Sequence, residues 1–153
     1  MKISVRNLQS DVPLSVTRLR RVAREVAAHL VKARGLSLAE VSVAIVNDVE
    51  SARVNGAFLR HRGPTDVITF SHALPPPFKN GSCRVGEIVI SAPRARAQAR
   101  QYHRPLAEEL ARYIVHGLLH LTGSDDATPA QRRTMRRAEN VLLARLQSQR
   151  RRS

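Results

Sequence analysis

Leu19, Val22, Val26 and Leu30, with Ala23, Ala27 and Val31 beside them, recur at intervals of three and four residues, which puts them on one face of a helix. That helix opens after Asp11-Val12-Pro13 and stops at Gly35, as proline near the start and glycine past the end predict. Four shorter apolar runs read as strands: Lys2 to Val5, the β-branched Val41 to Val46, Asp66 to Phe70, and Gly86 to Ser91. A helix capped by Asp48 runs through Val54 to Phe58 and breaks at Gly63-Pro64, while Pro75-Pro76-Pro77 and Asn80-Gly81-Ser82 mark a loop. Three helices close the chain. Pro93 starts the first, the second runs from about Pro105 to Leu121, and the third from about Thr128-Pro129 to Leu146. Residues 147–153 are expected as a frayed basic tail.

This order predicts an α/β (α+β) fold in one domain over residues 1–146, a small mixed four-stranded sheet packed against about five helices. A length of 153 residues suits one core and no more. With 42% hydrophobic and 25% charged residues, the composition is that of a folded globular chain. No apolar run approaches the ~18 residues of a membrane span, and Met1-Lys2 leads into no signal-like stretch, so a cytoplasmic protein is expected. Cys83 is the sole cysteine. An internal disulfide and a cysteine-clustered metal site are therefore excluded, and any metal must be held by His, Asp or Glu.

Charge changes the picture more than composition does. Twenty-six basic residues against 12 acidic ones give a net charge of +14, a field that draws in polyanions. Nucleic acid is the leading partner. Twenty-three of the basic residues are arginine; an arginine-rich codon bias explains that ratio, but not the scarcity of acidic residues.

The candidate chemistry lies in Ile114-Val-His-Gly-Leu-Leu-His-Leu-Thr-Gly-Ser-Asp-Asp126. His116 and His120 are four apart on a helix, so both rings project from one face and can converge on one ion. Gly123 lets the chain turn back, and Asp126 can supply a third ligand. Two imidazoles and one carboxylate leave a tetrahedral zinc with one open position, as hydrolytic sites require. Two histidines on an apolar helix can also be hydrogen-bonded core residues, and the same donor set could hold Fe(II). Metalloproteases place a glutamate directly after the first histidine as general base; here Gly117 stands there.

The stretch from His116 to Asp126 resembles the His-Gly-x-Leu-His-Leu-x-Gly-Tyr-Asp-His signature of the YbeY family of bacterial endoribonucleases. Val54-Asn55 through Pro64-Thr65-Asp66-Val67-Ile68-Thr69-Phe70 is similar to the family's Leu-Asn-x-x-Tyr-Arg and Pro-Thr-Asp-Val-Leu-Ser-Phe segments. Gly86 to Ser91 matches its fourth strand, and Met135 with Glu139 fits its Met-x-x-x-Glu tail. The resemblance spans roughly residues 40 to 145. It implies a zinc-dependent, single-strand-specific endoribonuclease in rRNA maturation, including 3′-end processing of small-subunit rRNA, and in ribosome quality control. One Zn2+ per chain is implied, with RNA and the ribosome as partners and no DNA. In this register Asp126 stands where the family has its last His and is the third ligand, while Asp125 becomes a supporting residue behind the ligands. Ser124 replaces the family's Tyr, and the arginine of Leu-Asn-x-x-Tyr-Arg falls on Leu59, with Arg60 beside it. Arg60 is the one side chain offered as a catalytic candidate.

Arg94, Arg96, Arg100 and Arg104 precede the metal helix, and Arg132, Arg133, Arg136 and Arg137 follow it. Of these, Arg94, Arg96, Arg100, Arg132, Arg133 and Arg136 are the candidate RNA contacts. With only five aromatic residues, backbone contact should dominate over base stacking. Two alternatives stay open: an RNA- or ribosome-binding assembly factor with little turnover, and a zincin-like metallopeptidase.

Overall fold

The computed structural model describes residues 1–58, 67–73 and 83–152. The strands are β1 (Lys2–Asn7), β2 (Ser37–Val46), β3 (Val67–Ala73) and β4 (Cys83–Ser91), and the helices are α1 (Val16–Arg34), α2 (Asp48–Phe58), α3 (Ala92–Gln101), α4 (Leu106–Leu121) and α5 (Pro129–Arg152). The order along the chain is the expected one. In the sheet the strands lie β1-β2-β4-β3, with β2 parallel to both β1 and β4, and β3 antiparallel to β4. Among the described residues the chain thus forms a mixed four-stranded sheet with five helices.

Period-two burial explains the sheet's orientation. Val41, Val43 and Ile45 on β2 and Ile88 and Ile90 on β4 are buried while Ser42, Ala44, Glu87 and Val89 between and beside them are not, as in a sheet with one face packed. The register lines up Val5, Val43 and Ile88 as one apolar row across three strands. Onto this face pack α1, through Leu19, Val22, Ala23, Val26, Ala27 and Leu30, and α4, ten of whose sixteen residues are buried. A helix buried on most sides is the spine of the fold, and side chains on its open strip are fixed in direction.

Several boundaries differ from expectation for local reasons. Ser15, not the Asp11-Val12-Pro13 stretch, caps α1, its Oγ accepting from the Arg18 amide at 3.3 Å. At α2 the side chain of Asn47 accepts from the Glu50 amide at 2.8 Å, so the cap lies one residue before Asp48. Asp48 instead accepts from the hydroxyl of Ser91 at 2.7 Å. Thr128 and Gln131 bond each other's backbone amides at the start of α5, a reciprocal cap. That helix does not fray at Leu146. Leu146 is its last buried residue, but no glycine or proline follows, and α5 continues to Arg152 with basic residues in its last turn, where the helix dipole favours them. Among the described residues no helix is long and apolar enough to cross a membrane.

Candidate metal centre

His116 and His120 sit one turn apart on the open strip of α4, their side chains 26% and 23% exposed. The helix ends in a motif that reverses the chain: the Gly123 amide bonds the His120 carbonyl at 3.1 Å and the Ser124 amide the Leu119 carbonyl at 2.9 Å. Gly123 has φ +108°, where a side chain would be strained. The turn is clamped from outside. Arg34, in the last turn of α1, donates to the Thr122 carbonyl (2.8 Å) and hydroxyl (3.1 Å) and to Ser124 Oγ (2.8 Å). These contacts carry the chain back so that Asp126 faces the two rings.

Three donor atoms meet there. Nε2 of His116 and Nε2 of His120 are 3.1 Å apart, and Asp126 Oδ2 lies 3.5 Å from the first and 3.4 Å from the second. Ligands bound tetrahedrally to zinc at 2.0–2.1 Å are about 3.3 Å from one another, so the triangle has the dimensions an ion would impose. The rings meet edge to face at an interplanar angle of 79°, which suits lone pairs converging from different directions. Behind His116, the largely buried carboxylate of Glu139 on α5 stands 3.6 Å from Nδ1. A negative charge at that distance favours the tautomer with its proton on Nδ1, which leaves the Nε2 lone pair for a metal. His116, His120 and Asp126 could hold a metal ion.

Of the expected site residues, the structure brings these three together. Asp125 is exposed, and among the described residues it has no hydrogen bond to any of them; the carboxylate behind a ring is Glu139, noticed in the sequence only as part of a tail pattern. Arg60, with Leu59 and Thr65, lies outside the described residues. The peptidase base is absent for a packing reason. Gly117 faces the sheet, and a Cβ there would stand 2.8–3.1 Å from the side-chain carbons of Ile88. A glutamate at 117 would be driven into the core and away from the ion.

Two clefts open from the centre. One, of about 380 Å3, reaches from His116 and Asp126 along α4 and α5 and is lined by Arg104, Arg112, Arg132 and Arg136, with Tyr102 and Glu109 at its far end. The other, of about 670 Å3, lies on the His120 side, with Ser71 and Arg84 on its wall. Arg132 and Arg136 therefore share a cleft with the centre. Arg94, Arg96, Arg100 and Arg133 line neither cleft, and Arg94 pairs with Asp48 at 3.8 Å. Arg112 and Glu109 were missed. Their signal was available, because they precede His116 by four and seven residues and so share its helix face.

Residues 4–147 match the family model for endoribonuclease YbeY. The chain belongs to the YbeY family of endoribonucleases. Among relatives named endoribonuclease YbeY, that of Moorella thermoacetica is 35% identical, the match covering 94% of this chain and 96% of its own. The Anaeromyxobacter relative is 37% identical over 88% of this chain and 68% of its own. In the Rhodopirellula baltica relative, 42% identical, the match covers 69% of this chain, which there spans about half (53%) of the relative's length. A solution structure of a Thermotoga maritima protein shares the fold, with a TM-score of 0.58 at 21% identity over 96% of this chain and 93% of that one.

Proposed function

We propose that this chain is a zinc-dependent endoribonuclease specific for single strands, acting in the cytoplasm in rRNA maturation and ribosome quality control. The observation that carries this reading is the triangle of His116 Nε2, His120 Nε2 and Asp126 Oδ2 with sides of 3.1–3.5 Å, opening onto an arginine-lined cleft. The triangle's donors are nitrogen and oxygen only, the set zinc accepts when one position stays open. Zinc in that position supplies a Lewis acid beside a phosphodiester and makes water nucleophilic near neutral pH. The chain's own contribution is positional. Glu139 keeps the His116 ring in one tautomer, Arg34 and Gly123 hold the loop that presents Asp126, and Arg132 and Arg136 pair with phosphates flanking the scissile one. Arg132 also braces the loop, donating to the Ala127 carbonyl at 3.2 Å.

One carboxylate in place of a third imidazole lowers the net charge of an occupied centre, so water there is less acidic than beside three neutral ligands. Activity is accordingly expected to peak at higher pH than in relatives with three histidines. The test is metal analysis of the purified chain followed by cleavage of a single-stranded and a duplex RNA, with chelator and after zinc is restored. About one zinc per chain, cleavage of the single strand alone, and its loss and recovery with the metal are expected. RNA binding that ignores the chelator, with no cleavage under any condition, would establish an assembly factor instead.

A further inference from the structure

The far end of the 380 Å3 cleft holds two buried polar groups that the chemistry at the centre does not use. Glu109 is 2% exposed, and its Oε2, ion-paired with Arg104 Nη1 at 3.5 Å, has no hydrogen-bond partner among the described residues. Arg112 is fixed by a bond from its Nη1 to Asn140 Oδ1 on α5 at 3.0 Å, yet its buried Nε has no hydrogen-bond partner among the described residues. A buried polar atom left without a hydrogen bond is destabilising, and a ligand that bonds it recovers the loss. Glu109 and Arg112 are one turn apart on α4, so an acceptor and a donor lie side by side on one wall. On the same cleft Tyr102 is 53% exposed, with the Arg104 guanidinium over its ring, 5.3 Å from the centroid.

A phosphate fits the arginines but is repelled by the Glu109 carboxylate. A flat, neutral group with a donor edge beside an acceptor meets all three features, stacking on Tyr102 and Arg104 while its edge reaches Glu109 and Arg112. Nucleobases have that form. Guanine alone offers two adjacent N–H donors, at N1 and N2, next to a carbonyl acceptor at O6. In adenine and cytosine the amino group borders a ring lone pair, and in uracil the single N–H lies between two carbonyls, so each sets an acceptor against the carboxylate. We propose that Glu109, Arg112, Tyr102 and Arg104 form a subsite for an unpaired guanine of the RNA, with Glu109 accepting from N1–H and N2–H and Arg112 donating to O6. The subsite rests on the endoribonuclease reading above and adds a base preference to it. Glu109 lies about 10 Å along α4 from His116, so a guanine seated there belongs to the same strand, near the cleaved bond.

Titration of the full chain with GMP, AMP, CMP and UMP by calorimetry tests the subsite without requiring turnover. GMP is expected to bind about tenfold tighter than the other three. Glu109→Gln should reduce that ratio to about one, because an amide cannot accept from both donors; a fault in folding would weaken all four nucleotides together and leave the ratio. Tyr102→Ala, at an exposed position, should weaken every nucleotide by about tenfold through lost stacking and keep the ratio. Equal affinities in the parent chain, no measurable binding, or a guanine preference that survives Glu109→Gln would each overturn the proposal. Mapped cuts in a randomised single-stranded RNA then provide a separate reading: cleavage without guanine enrichment overturns the subsite alone, and no cleavage despite selective GMP binding overturns the nuclease alone.

Discussion

Two arginine-lined cavities flank α4, and they are built differently. The cavity of about 270 Å3 among α1, α4 and α5 gathers Arg18, Arg21 and Arg150, but its floor is apolar, with Val22, Ala111, Leu143 and Leu146, and Glu25 and Glu108 stand among the charges. Burial, then Arg150 and Arg21, push the Arg18 pKa below its usual value, which is the mark of crowding rather than of a prepared partner. The cleft at His116 also gathers arginines, yet its wall holds a buried donor, Arg112 Nε, and a buried acceptor, Glu109 Oε2, with no hydrogen bond among the described residues, and it opens on the converging side-chain atoms of His116, His120 and Asp126. Positive charge is common to both. What separates them is polar groups placed where water cannot satisfy them, a costly arrangement unless a ligand completes it.

The largest difference between the two should follow from His116→Ala with His120→Ala. Bound zinc and RNA cleavage should both vanish, measured by metal analysis and a cleavage assay, whereas retained metal would place the ion elsewhere. Next, Asp126→Ala should lose most of the metal and Asp126→His should keep it. Glu139→Gln should weaken metal binding by roughly 10–100-fold, the usual effect of removing support behind a ligand. Asp125→Ala should stay loaded; an empty Asp125→Ala beside a loaded Asp126→Ala would reassign the third ligand.

Smaller effects concern binding. If roughly five phosphates are neutralised, the log of RNA affinity should fall against log salt with a slope of about −3.5 for a single strand. Arg132→Ala with Arg136→Ala should make that slope shallower by about 1.4, at roughly 0.7 per lost contact. Arg21→Ala, in the apolar-floored cavity, is expected to leave the slope unchanged and affinity within about twofold at physiological salt, since its charge acts only at screened distances. A larger loss at Arg21 than at Arg132 and Arg136 would reverse the comparison.

The same contrast explains what the sequence could disclose. Periodic elements were legible because their signals are local: the Leu19–Leu30 stripe, the β-branched run of β2, and the His116–Asp126 spacing with Gly123 at its turn. The extension of α5 to Arg152 was not, since the apolar stripe ends at Leu146 while nothing in the chain stops the helix. Glu139 behind His116, Arg34 clamping the turn and Asn140 holding Arg112 are pairings between distant segments, and only the packing of α4 against α1 and α5 brings them together. The six candidate RNA arginines were chosen by density along the chain. Of these, Arg94, Arg96, Arg100 and Arg133 line neither cleft.

The nearness of His116, His120 and Asp126 along the chain has a thermodynamic consequence. The three span eleven residues, and bringing together the ends of so short a segment costs little loop entropy even before the chain folds. The denatured chain is therefore expected to keep some affinity for the proposed zinc, and only the difference between the two affinities would contribute to stability. Saturating zinc should raise the melting temperature by less than the native dissociation constant implies. Glu139 belongs to another helix and acts only after folding, so Glu139→Gln should shrink that thermal shift while leaving zinc uptake by the unfolded chain intact.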